Sequence, residues 1–175
     1  VDSSPIVTND APTTFALGAT IVTFTHTDAS GNAGTDTATV TISDTTPPTV
    51  TAPVNITVEA ASAAGTPASN STIAAFLPGS SSSDAVDPAP GFSHNAPTTF
   101  PLGVTVVTFT YTDGAGNVGS NTATVTISDT IAPAVTAPGN ITVEAASASG
   151  TAASNGSIVA FLAASASTDA VNSSP

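Results

Sequence analysis

The sequence predicts an all-β protein made of tandem antiparallel β-sandwich domains. Three observations carry that expectation. Apolar residues alternate with threonine at a period of two. Gly-, Asn- and Asp-rich turns separate the alternating runs. The whole pattern then returns after 85 residues.

The strands follow from the alternation. In 37–42, Ala38, Val40 and Ile42 share one face, and Thr37, Thr39 and Thr41 share the other. In 107–112, Val107, Phe109 and Tyr111 oppose Thr108, Thr110 and Thr112. Period-two patterns rich in Val, Ile and Thr mark half-buried strands. Threonine is β-branched and polar, which suits a solvent-facing strand position. Further strands are expected at 48–52, 55–60, 72–77 and 91–95. Turns are expected at Asp28–Asn32 and Asp113–Asn117, where Asp, Gly and Asn supply turn chemistry. The Ala-rich stretch at 60–64 runs into Gly65 and Pro67 and reads as loop rather than helix. Six or seven short strands within each 85-residue period argue for an antiparallel sandwich.

The repeat sets the domain organisation. Ala11–Phe15 returns as Ala96–Phe100, Thr37–Asp44 as Thr122–Asp129, and Asn55–Ala60 as Asn140–Ala145. Of the 90 residue pairs at this offset, 58 are identical, so the duplication is recent. Proline clusters follow Asp44 and Asp129; proline interrupts a strand ladder, so both places read as junctions. Residues 44–128 then form one complete repeat. Residues 1–43 are the second half of another, and 129–175 are the first half of a third. Val171–Pro175 also resembles Val1–Pro5. Two readings stay open: a window cut from a longer array, or half-repeats completed by neighbouring chains. The second is a heterologous contact that does not close, which builds a fibre.

Composition excludes several function classes. The chain has no Lys and no Arg among 175 residues, 12 Asp and Glu, and a formal charge of −12. Nucleic-acid affinity comes mainly from Lys and Arg on phosphates, so nucleic acid is not an expected partner. The same charge argues against anionic membranes. No run of about 20 apolar residues is present to cross a bilayer, and no secretory leader is recognisable within these residues. The carboxylates must be dispersed and solvated, or neutralised by cations. Cysteine, methionine and tryptophan are absent, which removes disulfides, thiolate chemistry and the most readily oxidised side chains. Aromatic residues make up only 5%, which implies thin, divided cores rather than one large core with a deep pocket.

Five segments together resemble the hyalin repeat (HYR) family. They are Asp44 to Pro48, Pro53 to Val58, Phe100 to Val107, Thr112 to Asn117 and Ala123 to Asp129. The resemblance covers the complete repeat and both halves. It implies immunoglobulin-like extracellular modules with a role in adhesion, at or outside the cell surface. Many members of that family carry a cysteine pair; this chain has none, which leaves stability to packing and to bound metal.

Two classes of site are expected. The first is calcium, held by Asp28, Asn32, Asp44, Asp113, Asn117 and Asp129. Ca²⁺ takes six to eight oxygen ligands from carboxylates, amides and carbonyls, and these residues offer such oxygens on turns and at junctions. Similar immunoglobulin-like arrays place such ions near domain junctions. Glu59, Glu144, Asp84 and Asp169 also recur at the repeat offset and could add ligands. The competing reading is that Asp, Gly and Asn are there only as turn formers. The second class is glycosylation at the Asn-x-Ser/Thr sequons of Asn55, Asn70, Asn140, Asn155 and Asn172.

Catalysis is not expected. The two histidines, His26 and His94, do not recur at the repeat offset, and no nucleophile–base, zinc or phosphate-loop pattern exists. His26 shares the parity of Tyr111 and reads as a packed strand residue. The sequence therefore points to an extracellular filament, stalk or surface-layer element whose partners are neighbouring copies of itself. The alternative is an adhesin stalk or a module that binds carbohydrate or a surface receptor.

Overall fold

The computed structural model describes residues 5–171. The first strands are β1 (Ile6–Asn9), β2 (Gly18–Thr27), β3 (Ala33–Ile42), β4 (Thr49–Thr51), β5 (Ile56–Glu59) and β6 (Thr66–Pro67). Helix α1 (Ser71–Phe76) follows, then β7 (Ser81–Ser83), β8 (Gly91–His94), β9 (Thr99–Phe100), β10 (Gly103–Thr112) and β11 (Val118–Ser128). The chain continues through β12 (Ala134–Thr136), α2 (Gly156–Leu162) and β13 (Ala166–Thr168). The expected all-β sandwich is what forms.

Two compact units emerge. One gathers the residues up to Thr49 with the loops Ser83–Gly91 and Tyr111–Gly119. The other gathers Val50–Ser82, Phe92–Thr110 and the residues from Ser120 onward. In the first, β1, β2 and β3 form a three-stranded antiparallel sheet, with Val22 of β2 opposite Ala38 of β3. The largest sheet of the described residues has the order β5-β11-β10-β8. Strand β5 joins it in parallel, Val125 opposite Ile56 and Ile127 opposite Val58. Smaller sheets pair β4 with β7, β6 with β9, and β12 with β13.

Strict alternation on β10 and β11 puts Val107, Phe109, Val125 and Ile127 on the core face, where they are at most 2% exposed. Ile73, Phe76 and Phe100 are buried as well. The Phe76 ring meets Phe109 edge-on at 5.5 Å, and Phe92 stacks on Phe109 at 6.5 Å. The threonines on the opposite parity keep contact with solvent, as the alternation requires. Thr66 is a fully buried polar exception. Its hydroxyl donates to the Glu59 carbonyl (3.0 Å) and accepts from the Ala61 amide (3.0 Å), which offsets the cost of its burial.

One expected strand is a helix. Residues 72–77 were expected to be extended, because Thr72 and Ile73 are β-branched. Instead Asn70 caps a short helix: its side-chain oxygen accepts the Thr72 amide at 3.0 Å. Ile73 and Phe76 then fall three residues apart on one buried face. The cap and the apolar spacing outweigh β-propensity. A second correction concerns His26, which lies on β2 but is exposed rather than packed.

Candidate metal centre

Three loops bring acidic residues together. Asp44 follows β3, Asp84 follows β7 and Asp113 follows β10. One carboxylate oxygen from each lies within 4.8 Å of the other two. Oxygens that share one Ca²⁺ at 2.3–2.6 Å can stand no more than about 5 Å apart, so this spacing fits a single ion. Asp113 is 6% exposed, and Asp44 and Asp84 are half-buried. With no Lys or Arg in the chain, no basic side chain neutralises the cluster.

Local hydrogen bonds fix each member. Asp113 Oδ1 accepts the amides of Ala115 (2.9 Å) and Asn117 (2.7 Å), and Oδ2 accepts Asn117 Nδ2 (2.8 Å). Asn117 Nδ2 also donates to the Asp44 carbonyl at 3.3 Å, tying two of the loops together. Asp84 Oδ1 accepts the amides of Val86 and Asp87, both at 2.8 Å. Asp44 Oδ1 accepts the Thr46 amide at 3.1 Å. Asp87 accepts the Gly114 amide at 2.8 Å and braces the Asp113 loop from the side. A carboxylate has about four lone-pair sites, so these bonds leave acceptor capacity at each residue.

Electrostatics favour the ionised state of Asp113. Burial works to raise its carboxyl, but the Asn117 side chain and the loop amides outweigh it and hold the group below its ordinary value of 3.8. Asp28 is lowered too, chiefly by the Asn32 side chain and amide. Glu59 is lowered chiefly by the Thr130 hydroxyl, with Asp169 opposing the shift.

Of the six residues expected to hold calcium, Asp44 and Asp113 converge, and Asn117 hydrogen-bonds to both. Asp28 and Asn32 form the same turn as Asp113 and Asn117. Asp28 Oδ1 accepts the Asn32 amide at 2.8 Å and Oδ2 accepts Asn32 Nδ2 at 2.9 Å. Neither they nor Asp129 belong to a three-acid cluster among the described residues. Asp84 completes the cluster; its recurrence at the repeat offset was the signal that marked it.

The sequons have local duties. Asn70 and Asn155 cap α1 and α2 through their side-chain oxygens. Asn55 Oδ1 accepts the Thr124 amide at 2.8 Å. Asn140 is exposed, and Asn172 lies outside the described residues. Beside Asp44 runs an open groove of about 540 Å³, lined among others by Leu17, Ile42, Val86 and Asp87. Its lining carries no aromatic or cationic side chain.

Comparison with known proteins agrees with this architecture. The family model described as HYR domain matches residues 43–127. A protein named Hyalin from Lytechinus variegatus is 38% identical over 130 residues, covering 71% of this chain and 24% of that protein. Hyalin from Strongylocentrotus purpuratus is 37% identical over 134 residues, covering 73% of this chain and 11% of that protein. The chain thus spans about a quarter of the first relative's length and about a tenth of the second's. Through residues 43–127, the chain belongs to the HYR family.

Proposed function

We propose that this chain is a structural element of an extracellular filament, stalk or surface layer built from head-to-tail β-sandwich repeats. The observation that carries the reading is the uniformity of the repeat. Asp28–Asn32 and Asp113–Asn117 make the same turn with the same bonds, and Asn70 and Asn155 make the same cap. A module specialised for recognition concentrates aromatic or charged anchors in one place. Here the loop chemistry repeats instead.

Calcium belongs to this reading. Asp44, Asp84 and Asp113 would hold the ion, and Asn117 would keep two of the loops in register. The ion would neutralise converging carboxylates that the chain has no basic side chain to balance, and would stiffen the loops around residue 44. The mechanism is mechanical rather than catalytic. His94 accepts the Ala96 amide at 3.3 Å and packs its ring edge-on to Phe92 and Phe109, which is structural work.

The test is electron microscopy of the purified chain in calcium and after chelation with EDTA. Uniform fibres that loosen or bend on chelation are expected. Fibres indifferent to chelation would retain the structural role and remove the metal. Short isolated particles in both conditions would remove the filament and favour an adhesin module. Carbohydrate binding would then be sought in the groove beside Asp44.

A further inference from the structure

The fold does not treat its Asn-x-Ser/Thr sequons alike. In the complete repeat, Asn70 is half-buried and its side-chain oxygen caps α1. Asn55 and Thr57, the two ends of the sequon Asn55-Ile56-Thr57, are both exposed. Asn55 Oδ1 accepts the Thr124 amide at 2.8 Å, and its Nδ2 has no hydrogen-bond partner among the described residues. An asparagine that carries a sugar on Nδ2 keeps its carbonyl oxygen as an acceptor, so the bond to Thr124 is compatible with the modification.

The same place has an exposed edge to protect. Strand β5 is the edge of the sheet β5-β11-β10-β8. It pairs with β11 on one side, and no strand pairs with its other side among the described residues. Such an edge is a template for pairing with another chain, and proteins commonly blunt it with charged side chains, lysine above all. This chain has no lysine. The one carboxylate on β5, Glu59, is engaged by the Thr130 hydroxyl (2.6 Å) and amide (2.9 Å). Val54, next to Asn55, is 86% exposed, so apolar surface adjoins the open edge.

We propose that Asn55 carries an N-linked oligosaccharide that covers Val54 and the open edge of β5. A glycan on asparagine is bulky and solubilising. At this position it does what a lysine does at other edges. In the transfer, Asn55 Nδ2 attacks C1 of the first sugar of a polyprenyl-pyrophosphate-linked oligosaccharide. The N–C1 bond forms and the C1–O bond to the pyrophosphate breaks. The amide gives up one proton, and the polyprenyl pyrophosphate leaves with the bonding electrons. The same tripeptide returns at Asn140–Thr142, so the guard recurs with the repeat. The proposal needs only a secreted chain and does not depend on the filament.

The test uses the full chain secreted from a eukaryotic cell. With no Lys or Arg there is no tryptic site, so peptides are cut at Asp and Glu. Enzymatic removal of N-glycans in heavy-oxygen water turns each glycosylated asparagine into labelled aspartate, which mass spectrometry locates. Label at Asn55 is expected. A secreted chain with Asn55 unlabelled, or with label at Asn70 alone, would overturn the proposal. Variants at the exposed Thr57 then isolate the glycan, because all keep Asn55 and its bond to Thr124. Thr57→Ser keeps the sequon and should match the parent. Thr57→Ala loses it and should aggregate at least about threefold faster by light scattering. Thr57→Lys also loses it but places a charge at the edge, and should aggregate no faster than the parent. If Thr57→Ala stays as soluble as the parent, or Thr57→Lys aggregates as fast as Thr57→Ala, the glycan does not guard this edge and the proposal is overturned.

Discussion

The complete repeat and the half-repeats share sequence but not environment, and the contrast separates local from tertiary causes. What depends on neighbours within a few residues forms in both. Thr66 and Thr151 make the same pair of bonds to the backbone around Glu59 and Glu144. The caps on α1 and α2 match. What depends on the other half of the sandwich forms only once. Strand β5 has no counterpart at 141–144, and Phe24 is exposed where Phe109 is buried. Turn and cap residues are thus sufficient for their own geometry, whereas the parallel edge strand and the core require a partner.

The largest test of that contrast is the glycine pair, studied at concentrations where the chain stays monomeric. Gly65→Ala would drive a methyl group into the Phe100 carbonyl from a backbone at φ +105°. A loss of about 4 kcal/mol or more is expected, visible as failure of cooperative urea unfolding. Gly150→Ala meets only the strain of its φ of +98° and should cost about 1–2 kcal/mol locally, leaving the main transition in place. Next comes the core aromatic. Phe109→Ala removes a fully buried ring and should cost about 3–5 kcal/mol. Phe24→Ala should cost no more than about 1 kcal/mol in the monomer. Equal losses from the two would contradict the contrast.

Smaller effects sharpen it. Asn70→Ala should lower stability by about 1 kcal/mol through the lost cap. Asn155→Ala should lose the same local bond with little change in the main unfolding transition, as followed by calorimetry. The smallest effect is the response to acid. Asp28, Glu59 and Asp113 are held below their ordinary values of 3.8, 4.5 and 3.8. A lowered carboxyl contributes stability that is fully present above the unfolded value and is lost as pH falls through the folded one. Metal-free stability should therefore be level from pH 7 to about 5 and decline below about 4. A rise in urea midpoint on acidification would mean that relief of general repulsion in a chain of charge −12 outweighs these bonds.

Much of this was legible in the residues. Alternation gave β3 and β10, and Asp-x-x-x-Asn gave both turns. Helix α1 was hidden behind Thr72 and Ile73, although Asn70 and the three-residue spacing of Ile73 and Phe76 carried its signal. At the acidic cluster, Asp44 and Asp113 stood out because they end strands or open turns. Asp84, at the end of a serine run, stood out only through its recurrence. Its approach to the other two depends on three loops that no local pattern relates. The exposure of His26 was equally invisible, because its parity describes a core face that the half-repeat alone cannot bury.

Hydrogen exchange on β2 and β10 tests the central claim most directly, because it reads both strands in one sample. Strand β10, whose Val107 and Phe109 are fully buried, should be strongly protected. Strand β2, whose Phe24 is 40% exposed, should exchange much faster in the monomeric chain. Equal protection of the two strands would contradict the claim that the core face needs the other half of the sandwich.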